Sequence, residues 1–118
     1  MNSGKMGEDL VCVFLAEKGY TILERNFHSR WGEVDVIAKD GDVVVFVEVK
    51  TRKNADYGRP CEYVTPSKMK KLIKTAFIYL NGEECEMRFD VAEVFYGTEN
   101  KINYIENAFG GSYEIFSN

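Results

Sequence analysis

Four charged residues that could act on a phosphate ester stand in two short, valine-rich segments of the sequence. Glu33 and Asp35 alternate with apolar residues in the first segment, and Glu48 and Lys50 do so in the second. Carboxylate oxygens suit Mg²⁺ and Mn²⁺, which usually take one or two of them, with waters and a substrate phosphate completing the shell. A lysine beside such an ion can orient a water molecule and stabilise negative charge developing on phosphate.

The spacing of the two segments predicts a hairpin that places these charges on one face. Asp40-Gly41 between two runs of β-branched residues is typical of a two-residue turn. With that turn, Glu33 lies opposite Glu48, and Asp35 is a diagonal neighbour of Glu48, with Cα atoms roughly 7–8 Å apart. Such a group could hold a divalent cation, or it could be a salt-bridge cluster that protects a solvent-facing sheet edge. The pattern alone leaves both interpretations open.

The surrounding sequence predicts the elements that must position this hairpin, in the order α-β-β-β-α-β-β. A helix with Val13 in its apolar stripe is expected over Ser3–Lys18, with a stop at Gly19. Thr65-Pro66 is typical of the start of a second helix, and Asn81-Gly82 of its end. The expected strands are Tyr20–Phe27, Glu33–Lys39, Asp42–Thr51, Met87–Tyr96 and Lys101–Glu106. One continuous apolar face of the hairpin is expected from Val34, Val36, Val43, Val45, Val47 and Val49.

Composition limits the classes of protein that the chain can be. Its 118 residues contain no repeat, linker or low-complexity tract, so one domain over residues 1–118 is expected. Three widely separated cysteines without a CxxC pair exclude a zinc ribbon and a disulfide framework, and a single histidine argues against Ser-His-Asp chemistry. Apolar runs are far shorter than a membrane span, and no signal peptide precedes them, which favours a cytoplasmic protein.

The charge of the chain is unevenly distributed. The net charge is −4, but Lys50–Thr75 contains eight basic and two acidic residues, a net charge of +6, which leaves −10 for the rest. A basic segment on an acidic protein can attract a polyanion whatever the overall charge, and it can equally be a solvated helix face. Composition does not decide between the two.

The motifs around the charged residues resemble a known enzyme superfamily. GEVDVIA at 32–38 followed by FVEVKTR at 46–52 resembles the core of the PD-(D/E)XK, or restriction-endonuclease-like, nucleases. Over nearly the full length, the chain also resembles the YraN-like family of small bacterial proteins. The other segments that carry this second resemblance are GEDL at 7–10, RNF at 25–27, VTPSKMKKL at 64–72, RFDVAEV at 88–94 and NAF at 107–109. Each segment is short, and their order along the chain makes the resemblance specific.

The resemblance implies an α/β fold with a restriction-endonuclease-like αβββαβ core, in which a mixed central sheet is flanked by helices. It implies that Asp35 and Glu48 hold the metal ion and that Lys50 is the catalytic lysine. Glu8 matches an additional acidic residue of the Holliday-junction-resolvase-like branch, which implies a third catalytic carboxylate on the metal. From its position alone, Glu8 is an acidic residue near a helix start, where its negative charge interacts favourably with the helix dipole. Met69 departs from the glutamine that relatives commonly have there.

The implied activity is Mg²⁺- or Mn²⁺-dependent hydrolysis of DNA phosphodiester bonds, with a preference for a particular DNA structure. Basic residues expected to bind the nucleic acid are Arg52, Arg59, Lys68 and Lys71. Trp31 could stack on a base or pack at the hairpin end. The alternative function is a non-catalytic nucleic-acid-binding or assembly module, because one fold hosts both. Analogy with resolvase-like relatives suggests a homodimer.

Overall fold

Two helices and five strands make up the part of the chain that the computed structural model describes, residues 3–53 and 65–108. The elements are α1 (Ser3–Glu17), β1 (Thr21–Ser29), β2 (Gly32–Asp40), β3 (Val43–Lys53), α2 (Pro66–Leu80), β4 (Met87–Tyr96) and β5 (Lys101–Ile105). Their order is the predicted one, and the strand bounds agree with the prediction to within two residues. Across the described ranges, neither helix has the length and apolar character needed to cross a bilayer.

All five strands belong to one sheet with the order β1-β2-β3-β4-β5. Neighbouring strands are antiparallel except β3 and β4, which are parallel. Parallel neighbours need a crossover connection, and α2 lies in the connection between these two strands. The two helices pack on opposite faces of the sheet. The predicted α/β class, with a mixed sheet flanked by helices, is therefore confirmed and is consistent with a restriction-endonuclease-like core.

The first helix packs on the sheet through residues spaced four apart. Val11 and Leu15 are fully buried against the α1-side core, whose sheet residues are Val36, Ala38, Val45, Val47, Ala92 and Val94. Gly7, one turn earlier, lies so close to β3 that an added Cβ would come within 2.6 Å of Thr51 Oγ1. Val13 was expected in the apolar stripe, but it is 57% exposed. It lies two residues from Val11, about 200° around the helix, and therefore faces away from the sheet.

The second helix covers the other face and has the predicted caps. Thr65 Oγ1 accepts a hydrogen bond from the Lys68 backbone N–H, and Pro66 occupies the first turn. Asn81 ends the helix in the left-handed conformation, with φ 49° and ψ 47°. The buried residues of the α2-side core are Val34, Ile37, Val44, Phe46, Leu72, Ile73, Ala76, Leu80, Phe89 and Val91.

The hairpin between β2 and β3 is present, but its register differs from the prediction by two residues. Asp40 pairs with Val43, so the turn residues are Gly41 and Asp42 rather than Asp40 and Gly41. Gly41 has φ +59° and occupies the first central position, where type II′ turns place glycine. Because the difference is an even number, Asp35 and Glu48 still share one face, as predicted.

The alternation of β2 is broken at Asp35. Val34 is buried in the α2-side core, whereas Val36 is buried in the α1-side core. Pairing between β2 and β3 also ends here, at Val36 and Val47. The prediction of a single apolar valine face is therefore wrong for Val34. The reason is that β2 leaves the regular ladder at Asp35.

Candidate functional site

Asp35 and Glu48 are brought together where β2 and β3 separate. The last backbone pair joins Val36 to Val47, and the two carboxylates occupy the next position on each strand. Beyond that pair, the Val49 backbone N–H donates to Asp35 Oδ2 over 2.8 Å. The Asp35 carboxylate thus takes the place of a backbone acceptor of the regular ladder. This hydrogen bond holds Asp35 against β3.

The environment of Asp35 disfavours its charged form. Its pKa is raised from 3.8 to about 7, mainly by burial and next by the negative charge of Glu48. The hydrogen bond from Val49 acts in the opposite direction, while Glu8 and Glu33 contribute further repulsion. The Glu48 side chain is itself only 11% exposed. Two neighbouring carboxylates with little access to water are expected to bind a proton or a cation.

Lys68 provides a cation at this position. Its Nζ donates to Glu48 Oε1 over 3.3 Å. Lys68 lies in the first turn of α2, directly after the Thr65 cap, so the helix start fixes where this side chain leaves the backbone. The structure therefore brings one of the predicted nucleic-acid-binding lysines into contact with one of the predicted metal ligands.

Lys50 follows Glu48 on β3 and lies beside a buried acidic residue of β4. In the parallel ladder, Lys50 is in register with Glu93, whose side chain is fully buried. Glu93 Oε2 accepts from Arg52 Nε over 3.2 Å, and Glu93 Oε1 accepts from Asn103 Nδ2 over 2.8 Å. This arrangement holds Arg52, another predicted nucleic-acid-binding residue, at the end of β3.

Sequence reasoning missed Glu93. The available signal was an acidic residue at an inward position of an apolar strand, between Val91 and Phe95 two residues away on either side. A buried carboxylate is costly unless it is paired, so this position itself indicates a basic or amide partner. Arg52 and Asn103 are those partners.

Glu8 lies near the site but is bound to β1. Its Oε1 accepts from Asn26 Nδ2 over 3.1 Å, and Arg25 Nη2 lies 3.5 Å away. Its charge reaches Asp35, whose pKa it helps to raise. Within residues 3–53 and 65–108, no three or more Asp, Glu, His or Cys side chains form a group that could hold a metal ion.

The carboxylate pair nevertheless fits the donor set of Mg²⁺ or Mn²⁺. These ions commonly take one or two protein carboxylates and complete their shell with water and substrate phosphate. The repulsion that raises the pKa of Asp35 is the kind that a divalent cation between Asp35 and Glu48 relieves. Asp35 and Glu48 would hold such an ion. The nearby negative charge of Glu8 would add to the attraction for it.

Of the remaining predicted residues, Lys71 lines a groove between α2 and the start of β2, together with Lys68. Arg59 falls outside the described residues. Arg88 and Asp90 form a buried ion pair, with Arg88 Nε 3.0 Å from Asp90 Oδ1, at the other end of β4.

Fold and site together define an α/β protein with a five-stranded mixed sheet and a partly buried carboxylate pair where two strands diverge. The chain belongs to the uncharacterised protein family UPF0102, which it matches over residues 7–94. The resemblance to the YraN-like family is confirmed by this match, while the placement within the nuclease superfamily stays a prediction.

Relatives from several bacteria are similar over almost their whole length. A UPF0102 protein of Alkaliphilus metalliredigens is 44% identical over 109 residues, covering 90% of this chain and 96% of the relative. One from Syntrophomonas wolfei is 46% identical over 110 residues, with coverage of 90% and 96%. One from Persephonella marina is 42% identical over 113 residues, with coverage of 93% and 95%.

Proposed function

We propose that this protein is a metal-dependent nuclease of the PD-(D/E)XK superfamily that hydrolyses DNA phosphodiester bonds with Mg²⁺ or Mn²⁺. The observation that carries the proposal is the Asp35–Glu48 pair. Two carboxylates occupy facing positions in a partly buried site, and the pKa of Asp35 is raised to about 7. Perturbed carboxylates of this kind concentrate at functional sites.

Each residue of the site has a distinct role in the proposed reaction. Asp35 and Glu48 would hold the ion, which supplies Lewis-acid stabilisation of the charge that develops on phosphate. Lys50, two residues after Glu48 on the same strand, orients the attacking water and offsets negative charge near phosphorus. Glu8 keeps the local potential negative, which favours binding of a divalent cation.

Lys68 acts as the counter-ion of Glu48 before the metal binds. Its Nζ lies 3.3 Å from Glu48 Oε1 and its side chain is half exposed, so it can turn toward a phosphate once the carboxylate charge is neutralised. Lys71, one helical turn away on the exposed side of α2, adds a second contact for the strand.

A non-catalytic nucleic-acid-binding module is the second candidate. The Lys68–Glu48 ion pair favours it, because this lysine neutralises part of the acidic pair without a metal ion. In this reading the basic start of α2 binds phosphates, and the carboxylates serve to position Lys68.

Cleavage of labelled substrates distinguishes the two candidates. The panel contains single-stranded, duplex, flap and four-way-junction DNA, each with Mg²⁺, Mn²⁺ or EDTA. Wild type is compared with Glu48→Gln and with Glu84→Gln, a control on the exposed segment between α2 and β4. We expect metal-dependent cleavage by wild type and Glu84→Gln, and at least a hundredfold loss in Glu48→Gln.

Two other outcomes would contradict the nuclease proposal. Cleavage of equal rate in wild type and Glu48→Gln would show that the cleavage does not depend on the carboxylate pair, as with a contaminating enzyme. Binding without cleavage in all three proteins, with any metal, would support the non-catalytic module instead.

A further inference from the structure

A groove of about 390 Å³ lies beside the carboxylate pair, between the start of β2 and the first turns of α2. Its principal lining residues are Trp31, Glu33, Thr65, Ser67, Lys68 and Lys71. This volume is within the range of pockets that hold small ligands, about 300–1,000 Å³, and would admit a single nucleotide. Lys68 connects the groove to the site, since it also contacts Glu48.

The groove combines basic side chains with the only tryptophan of the chain. Lys74 Nζ lies 3.9 Å from the centroid of the Trp31 ring, and the Arg30 guanidinium carbon lies 4.9 Å from it. Glu33 is the acidic residue of the lining, and its Oε2 is 3.2 Å from His28 Nδ1. Lys68 and Lys71 are the basic residues of the lining, and Arg30 and Lys74 add positive charge beside it, over Trp31.

The backbone of Trp31 is connected to α2 by hydrogen bonds. Its backbone N–H donates to Ser29 Oγ over 3.0 Å, and Ser29 Oγ is hydrogen-bonded to Thr75 Oγ1 of α2 over 2.8 Å. Thr75 Oγ1 donates in turn to the Lys71 carbonyl oxygen. These bonds tie the backbone of the β1–β2 turn to α2, so the turn that carries Trp31 needs little ordering on binding.

We propose that this groove binds an unpaired nucleotide of a single-stranded nucleic acid, with the base stacked on Trp31 and the adjacent phosphates on Lys71 and Lys74. An aromatic ring within a basic groove is the combination that binds single strands, and only an unpaired base offers its face for stacking. The inference rests on the proposed function, because it takes nucleic acid as the ligand. It goes further by assigning the substrate class, a strand with at least one unpaired base next to the cleaved bond.

Lys74 does not block this arrangement. Its ammonium group is on a flexible chain, and a cation over a partly exposed ring is held less strongly than a stacked base. When a base takes its place over the indole, Lys74 is released at the groove edge, where the phosphates of the strand would pass.

The test measures binding in EDTA, so that it does not depend on cleavage. The probes are a short labelled oligothymidylate and an abasic strand of the same length, which carries the phosphates without the bases. We expect wild type to bind the oligothymidylate at least tenfold more tightly, with saturable quenching of Trp31 fluorescence by that strand alone.

Variants separate stacking from charge. Trp31→Leu should bind the two strands alike in an anisotropy assay, Trp31→Phe should keep the preference, and Lys71→Gln should weaken binding of both strands equally. Equal affinity of wild type for the two strands, or a preference that survives in Trp31→Leu, would overturn the inference, and so would a lack of binding to either strand.

Failure of the inference and failure of the proposed function can be told apart. Metal-dependent duplex cleavage without any base preference would overturn the inference alone. A base preference that depends on Trp31, in a protein that cleaves no substrate, would support the inference and contradict the nuclease proposal.

Discussion

A carboxyl group buried beside a second carboxylate makes the folded state less stable as pH rises. The pKa of Asp35 is raised to about 7, first by burial and then by Glu48, whereas an unfolded chain has an aspartate pKa of about 3.9. Between these values the folded protein binds more protons than the unfolded chain. Stability therefore falls as pH rises from about 4 to 7, and the cost is fully present above pH 7.

Asp35→Asn should remove this pH dependence. The amide oxygen of asparagine can still accept the hydrogen bond from Val49, so the main loss is the charge. We expect the variant to be more stable than wild type by about 1–3 kcal/mol at pH 8 and by much less at pH 4.5. Urea denaturation at the two pH values measures the difference. A constant difference between the proteins would show that Asp35 ionises normally.

Metal removal provides a second test at the same residues. A saturating divalent ion should stabilise wild type by about 2.7 kcal/mol at a concentration one hundred times its Kd. The effect should be smaller at pH 5.5, because protons compete for Asp35. Thermal unfolding in Mg²⁺ and in EDTA measures it, with Asp35→Asn and Glu48→Gln losing the shift and Glu84→Gln keeping it. A full shift in Glu48→Gln would place the metal elsewhere.

Single residues were predictable where the pattern around them was strong. Asp35 and Glu48 stand among valines in regular alternation, so a common face followed from the strand period. The role of Glu93 was not predictable in the same way, because its partners Arg52 and Asn103 come from two other strands. Contacts between distant segments depend on the order of the strands in the sheet. Residue spacing within one hairpin gives no information about that order.

At the scale of elements, the start of α2 determines where Lys68 stands. Thr65 Oγ1 accepts from the Lys68 backbone N–H over 3.2 Å, and this cap satisfies one of the free donors of the first turn. Thr65→Ala should cost about 1 kcal/mol of stability, whereas Thr65→Ser should cost little because serine keeps the hydroxyl oxygen. Urea midpoints of the three proteins give the comparison. Equal losses in both variants would rule out the hydrogen bond as the cause.

The helix caps were predictable from sequence, and the hairpin register was not. Thr65-Pro66 and Asn81-Gly82 act locally, so residue type alone identifies them. Asp40-Gly41-Asp42 admits two turns, because glycine is favoured at the second central position of type I′ and the first of type II′. The structure has the second alternative, and β2 and β3 pair two residues away from the predicted register.

At the scale of the whole molecule, Arg88 connects strands at the end of the sheet away from the carboxylate site. Its Nε donates to Asp90, its Nη1 to Asp40 over 3.1 Å and its Nη2 to the Tyr20 hydroxyl over 2.6 Å. Asp90 is buried, and within residues 3–53 and 65–108 its other donors, Asn107 N–H and the Tyr104 hydroxyl, are neutral. The guanidinium is thus the group that compensates a buried charge.

Removing that cation should destabilise the fold strongly. Arg88→Met leaves the Asp90 carboxylate with neutral donors only, and breaking one side of a buried ion pair typically costs about 3–5 kcal/mol. The double variant Arg88→Met with Asp90→Asn should recover part of the loss, because no buried charge then remains. Chemical denaturation of wild type, both single variants and the double variant gives the coupling energy. A double variant less stable than Arg88→Met would contradict the explanation.

The charge of the whole chain and the charge of its groove act in opposite directions on a polyanion. The net charge of −4 repels nucleic acid at a distance, while the lysines at the start of α2 attract phosphates at contact. Each phosphate neutralised on a single strand contributes about −0.7 to the slope of log K against log salt concentration.

Lys71→Gln should therefore reduce the magnitude of that slope by about 0.7. Lys39→Gln, an exposed lysine at the far end of β2, should leave it unchanged. Titration of a labelled single strand at several salt concentrations gives the slopes. If Lys71→Gln and wild type have the same slope, the strand does not follow the groove, and binding must depend on another surface of the molecule.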